Sequence, residues 1–227
     1  MDRLLVARPR RQDRLIITGL PRSGTGFIQS IISSLPRAFC KGEVFAPELH
    51  IYDDYVKMAT TLSDRRNHEI FGIKFLFFQS PNYWADIEEL SKRGWKVIGT
   101  RRKDSNQQAL SYYLATATGY FHRFDKTQMP EAITIDLALL DQCIKIFTKC
   151  SSILNDNYMS LKNEMLVIDF EEDIVKSDKA VKKVTTCLGH SLQYVSRLEQ
   201  PTFEDKLSHV TNHNEVTQLL DNFNSHG

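Results

Sequence analysis

A glycine-rich turn carrying a cation is the part of this chain best suited to chemistry. The segment Leu15-Ile16-Ile17-Thr18-Gly19-Leu20-Pro21-Arg22-Ser23-Gly24-Thr25-Gly26-Phe27-Ile28 passes from an apolar, β-rich run through Gly and Pro into an apolar helical pattern. That order specifies a strand, a glycine loop and a helix N-terminus. Such a loop turns backbone N–H groups and the helix dipole toward one point, which suits a phosphate or sulfate. The loop reads G-x-x-x-x-G-T-G. A Walker A loop would carry Lys at position 25 and Ser or Thr at position 26. Thr25 and Gly26 stand there instead, and the cation comes earlier, at Arg22. The loop is built for an anion without being an ordinary ATP loop. Lys74 is a second unusual cation, set inside an apolar run. Buried Lys is rare unless paired, so it is either paired or a charge on an edge strand.

The elements that must position these groups alternate between strand and helix. Strands are expected over residues 15–19, 70–78, 95–100 and 165–170, and helices over 24–35, 50–62, 82–92, 105–118, 131–155, 173–188 and 214–223. Gly94, Gly119 and Gly189 stop three of the helices. Residues 37–47, with Gly42 and Pro47, read as a loop. The run at 70–78 is apolar almost throughout, as expected for a parallel strand covered on both faces. Repeated strand–helix units imply an α/β fold: a P-loop-like, doubly wound parallel sheet flanked by helices, with a further helical region.

Length and composition bound the rest. A chain of 227 residues suits one domain, with a basic tail at 1–13 and a polar segment at 200–227. At this size roughly 70% of the unfolded surface can be buried. With 41% hydrophobic and 25% charged residues the chain is an ordinary globular one. A net charge of +1 argues against a broad nucleic-acid surface. No apolar run approaches the ~20 residues of a membrane span, and no signal-peptide pattern is visible. The arginines at 3, 8, 10, 11 and 14 read as a solvated tail rather than a transit peptide. Cys40, Cys143, Cys150 and Cys187 have no C-x-x-C spacing. They fit a reducing compartment, the cytoplasm, with neither zinc nor a disulfide framework. His209 and His213 have the i, i+4 spacing of a metal pair, but without a further ligand nearby a solvated helix face is the better reading.

A second segment bears on which anion the loop serves. Thr100-Arg101-Arg102-Lys103-Asp104 follows the strand at 95–100, and the next helix carries Gln108-Ala109-Leu110-Ser111 before Thr118-Gly119. An Arg pair at a strand end, with Ser on the following helix, resembles the 3′-phosphate site of sulfotransferases. The order R-R-x-D, Q-A-x-S, T-G is similar to the bacterial carbohydrate sulfotransferases of the trehalose and nodulation-factor type. Pro21-Arg22-Ser23-Gly24-Thr25 is similar to their 5′-phosphosulfate loop, and Phe71-Gly72-Ile73-Lys74 to their F-G-V-K strand. Lys41-Gly42-Glu43-Val44-Phe45 sits where they carry a Glu before an aromatic. The four blocks occur in family order across residues 15–122, about half the chain.

The resemblance implies 3′-phosphoadenosine-5′-phosphosulfate (PAPS) as donor, 3′-phosphoadenosine-5′-phosphate (PAP) as product, and a hydroxyl acceptor on a small molecule or glycan. Arg22, Ser23, Gly24, Thr25, Gly26 and Phe27 would hold the 5′ end. Arg101, Arg102 and Ser111 would hold the 3′-phosphate, for which the Arg fork is suited. Transfer should resemble phosphoryl transfer, with charge building on the leaving oxygen. Arg22 would stabilise that charge with help from Lys74, and Glu43 would be the base. No metal is expected, and a homodimer is compatible with the fold. Lys206 and Ser208 are weaker candidates for nucleotide contact. Asp169, Glu171 and Glu172 read as structural or capping. Phe39, Phe45, Trp84, Tyr120, Phe121 and His122 are candidates for the acceptor side, and the aromatics are equally core material. Gly26 departs from the family's usual Thr or Ser, and Tyr112-Tyr113 is similar to the cytosolic enzymes instead. Two rivals stand beside this reading: a P-loop small-molecule kinase, and a non-catalytic nucleotide-binding protein of the same fold.

Overall fold

The structure is a computed structural model describing residues 12–45, 54–64, 68–119, 132–161, 164–176, 179–190, 207–208 and 210–225. Tyr120, Phe121, His122, Lys206, His209 and most of the basic tail lie outside the described residues.

Five parallel strands form one sheet in the order β2-β3-β1-β4-β5. They are β1 (Asp13–Gly19), β2 (Ala38–Glu43), β3 (Ile70–Lys74), β4 (Lys96–Arg101) and β5 (Met165–Asp169). The helices are α1 (Thr25–Ser33), α2 (Tyr55–Asp64), α3 (Tyr83–Lys92), α4 (Ser105–Thr118), α5 (Leu137–Ser160), α6 (Lys179–Cys187) and α7 (His213–Asn224). The α/β expectation is met, and strand alternation explains the layers. On β1, Leu15 and Ile17 join a core with Ile28, Ile31 and Val184 from α1 and α6. Ile16 points the other way, into a larger core shared with α2, α3, α4, α5 and α7. Burial on both faces is why the strands read as nearly unbroken apolar runs.

Four segments differ from expectation. Residues 38–43 are a strand, not a loop, and pair in parallel with β3. Lys41 and Gly42 obscure its pattern, because a sheet-edge strand does not need apolar residues throughout. The strand at 70–78 ends its ladder at Lys74, and Gln79 closes a turn by donating its N–H to the Leu76 carbonyl at 3.0 Å. The helix expected over 173–188 is split. A wide turn, Phe170–Val175, comes first, closed by the Lys176 N–H on the Glu171 carbonyl at 3.1 Å, and α6 follows. The long helix α5 starts later than expected, where Asp136 caps the N–H groups of Ala138 and Leu139.

Because all five strands are parallel, their C-terminal ends share one edge of the sheet. Gly19, Glu43, Lys74, Arg101 and Asp169 are the last residues of β1, β2, β3, β4 and β5. In open α/β sheets, ligands bind outside this edge, where successive connections leave in opposite directions. β1 is that point here, flanked by β3 and β4.

Candidate active site

The glycine loop is held from beneath and from the side. Ser23 is buried, and its hydroxyl bonds the Leu20 carbonyl at 2.7 Å and the Thr100 hydroxyl at 2.6 Å. Its side chain therefore shapes the loop. Gly24 has φ +96°, a left-handed conformation that favours glycine. A Cβ there would lie 2.5 Å from Ile174 and 3.0 Å from Phe170, so the wide turn after β5 packs directly on the loop. Arg22 is also left-handed, at φ 64°, a conformation that costs a non-Gly residue about 1–3 kcal/mol and clusters at functional sites.

Helix α4 grips the other side. Asp104 caps it by accepting from the Gln107 N–H at 2.8 Å. Gln108 and Ser111 lie three residues apart and so share one helix face. Gln108 Nε2 donates to the Pro21 carbonyl at 2.7 Å, and Ser111 Oγ accepts from Arg22 Nε at 3.0 Å. Gln108 belongs to the Q-A-x-S block, but its bond to the loop carbonyl is not legible from the sequence, because the partner lies 87 positions away.

The two arginines after β4 have different surroundings. Arg101 makes a two-point ion pair with Asp169, with Nε on Oδ1 and Nη2 on Oδ2 at 3.2 Å. That hydrogen bond raises the Arg101 pKa and lowers that of Asp169. Arg102 is buried, with its guanidinium 4.6 Å from the Phe170 ring centre and its Nε 3.6 Å from Glu171. Burial pulls its pKa down; Glu171 and Asp104 oppose this, and the Arg22 charge adds to it. Glu171 also accepts the backbone N–H groups of Lys103 at 3.0 Å and Asp104 at 3.3 Å. Glu172 pairs with Lys176 and Lys103. Arg22, Arg102 and Ser111 thus form one polar cluster beside the glycine loop, with Arg101 tied back to β5.

On the opposite side of the loop, Lys74 meets Glu43. The Nζ to Oε1 distance is 2.8 Å, with the Lys side chain 4% exposed and the Glu side chain 38% exposed. The buried ammonium has its counter-charge, and the carboxylate keeps a solvent-facing side. Register explains the meeting, since Glu43 pairs with Lys74 across β2 and β3 at an irregularity in the ladder. Gln79 donates to the second Glu43 oxygen at 3.2 Å. Thr25 is buried at the start of α1, and Gly26 and Phe27 follow it in the first turn.

Several candidates for the acceptor side are core or packing residues. Phe45 is fully buried, edge-on to Phe75 at 4.8 Å. Phe39 stacks on His68 at 5.2 Å, at the far end of β2. Trp84 lies 6.0 Å from Tyr158. Among the described residues, no group of three or more His, Cys, Asp or Glu side chains could hold a metal ion. No described helix is long and apolar enough to cross a membrane.

A parallel α/β sheet with a glycine loop after β1 and cations at the neighbouring strand ends defines a P-loop-like class of protein. Two of the solved structures that share this fold are sulfotransferases. One is the sulfotransferase of Alicyclobacillus acidocaldarius, at a TM-score of 0.56 and 14% identity, covering 93% of this chain and 95% of that one. Another is mouse sulfotransferase SULT7A1 complexed with PAP, at a TM-score of 0.50 and 17% identity, covering 93% of this chain and 63% of that one. No protein-family model matches the chain, and no curated protein does. The likeness is one of fold.

Proposed function

We propose that this protein is a sulfotransferase that moves the sulfuryl group of PAPS to a hydroxyl, most consistently that of a carbohydrate or glycolipid. The observation that carries the reading is the placement of two chemically distinct clusters at one sheet edge. Arg22, Arg102 and Ser111 offer an anion site on one side of the glycine loop, and the Glu43–Lys74 pair offers a carboxylate on the other. The donor has two separated anionic ends, so a glycine loop beside an Arg cluster matches its charge pattern. The order of motifs in the sequence and the sulfotransferase folds of the similar structures support the same assignment. The scattered thiols fit a cytoplasmic protein.

In this reading the acceptor oxygen attacks sulfur in line with the bond to the 5′-phosphate. A new S–O bond forms, the old one breaks, and PAP leaves with the electron pair. Glu43 takes the acceptor proton. Arg22 and the loop N–H groups meet the charge growing on the leaving oxygen, and Lys74 adds its positive charge. Arg102 and Ser111 hold the 3′-phosphate, with Arg101 bracing Arg102's segment through Asp169. The acceptor class rests on the motif resemblance.

Isothermal titration with PAP in the absence of Mg²⁺, beside ATP and the Arg102→Ala variant, tests the donor site. Binding of PAP that is lost in the variant, with ATP much weaker, is the expected result. A requirement for Mg²⁺ with ATP preferred would favour the kinase reading. Glu43→Gln should bind PAP normally and lose turnover, whereas a non-catalytic nucleotide-binding protein would show no turnover to lose.

A further inference from the structure

We infer that Gln79 is a positioning residue that orients the Glu43 carboxylate, an inference that rests on Glu43 being the base proposed above. Gln79 is only 6% exposed, although nothing about a Gln in a connecting segment requires burial. Both ends of its carboxamide are used. Its Oε1 accepts the Leu76 backbone N–H at 2.9 Å, and its Nε2 donates to Glu43 Oε2 at 3.2 Å. The orientation of the amide follows from the partners. A backbone N–H only donates, so the carbonyl end must face Leu76 and the NH₂ end must face the carboxylate. The main chain locks the same turn, because the Gln79 N–H donates to the Leu76 carbonyl at 3.0 Å.

Glu43 is therefore held at both oxygens, by Lys74 on Oε1 and by Gln79 on Oε2. Each carboxylate oxygen has two acceptor sites, so this hold leaves room for an acceptor O–H. Two N–H donors, one on each oxygen, fix the plane of the carboxylate. A purely structural amide would need only the Leu76 contact. The second contact, to a half-exposed carboxylate at a strand end, assigns Gln79 to the reaction.

The test uses two variants of the full chain, each checked for folding by circular dichroism. Gln79→Met keeps the bulk and removes both side-chain bonds. Gln79→Glu keeps an acceptor for the Leu76 N–H and turns a carboxylate toward Glu43. Hydrolysis of PAPS, with water as acceptor, supplies a turnover readout. The water oxygen bonds sulfur, PAP leaves with the electron pair, and the proton goes to Glu43. Both variants should bind PAP within about threefold of the unmodified protein, since neither touches the anion cluster. Turnover in Gln79→Met should fall about tenfold or more, a fraction of what a general base supplies. In Gln79→Glu the acid limb of the pH–rate profile should move up by about one unit, because like charges disfavour joint ionisation.

Infrared difference spectra supply a readout that needs no turnover. The Glu43 carboxylate band, assigned by its loss in Glu43→Gln, should shift in Gln79→Met. Rates and band superposing on those of the unmodified protein would overturn the inference. A shifted band with unchanged rates would also overturn it, leaving Gln79 a structural contact. Failure of the unmodified protein to bind PAP would instead mark the failure of the sulfotransferase reading, and the inference would fall with it.

Discussion

Arg22 on the glycine loop and Ser111 on α4, 89 positions apart in the chain, are joined by a hydrogen bond of 3.0 Å from Nε to Oγ. Sequence reasoning assigns them to opposite ends of one donor molecule. The structure links them directly, so the two proposed anion sites are mechanically continuous. Ser111→Ala should remove one bond to the 3′-phosphate and release the Arg22 side chain. A lost hydrogen bond to a charged group is worth about 1.5–3 kcal/mol, so PAP affinity should fall roughly ten- to a hundredfold by titration calorimetry. Equal affinity in the variant would remove Ser111 from the site.

Arg101 and Arg102 should separate in their effects. Arg102 stands with Arg22 by the loop, whereas Arg101 is committed to Asp169. Arg102→Ala should weaken PAP at least as much as Ser111→Ala, and reduce the salt dependence of binding. Arg101→Ala should bind PAP more nearly like the unmodified protein. The reverse order would reassign the 3′-phosphate to Arg101.

The Arg101–Asp169 pair should make stability depend on acid pH. The hydrogen bond from Arg101 holds the Asp169 carboxyl below its ordinary value of 3.8. A carboxyl with a lowered folded-state pKa adds stability above its unfolded value and loses it as pH falls through the folded one. Asp169→Asn should therefore lower Tm at pH 7, and the gap to the unmodified protein should narrow below about pH 4. A constant gap from pH 7 to pH 3 would show that the pair contributes through packing alone.

Glu43 and Lys74 should be coupled in stability. Removing the carboxylate leaves a buried ammonium without its counter-charge, which costs about 3–5 kcal/mol when both partners are buried and less here, because Glu43 is half exposed. Glu43→Ala should lower Tm more than Glu43→Gln, which keeps an acceptor oxygen. Adding Lys74→Met to Glu43→Ala should recover part of the loss. Strict additivity in this cycle, measured by urea unfolding, would contradict the ion pair.

Gly24 should tolerate no side chain. A methyl group at φ +96° would sit 2.5 Å from Ile174. Gly24→Ala should cost about 1–3 kcal/mol from overpacking, or roughly 2–12 °C in Tm at 2–4 °C per kcal/mol. Differential scanning calorimetry checks this, and an unchanged Tm would mean that the turn at 170–175 yields freely.

Local pattern was enough, in the sequence alone, to specify the strand–glycine loop–helix unit and the α/β class, while the motif resemblance singled out the residues of the two clusters. Leu15 to Gly19 is apolar on both faces because both faces are covered, and Gly24 marks a left-handed turn wherever it lies in space. These are short-range properties, legible from neighbours. What lay beyond pattern was how distant residues meet. β2 is a strand because β3 pairs with it, and its polar Lys41 and Gly42 hide that. Gln79 and Gln108 are generic residues whose importance comes from a partner 36 and 87 positions away. The neighbouring Arg101 and Arg102 look equivalent in the chain, yet Asp169 takes one while Phe170 and Glu171 receive the other. Backbone conformation is set mostly by local sterics and hydrophobic period, which the sequence carries on its face. Partner choice depends on which strand ends the sheet order brings together, and only the folded chain decides that.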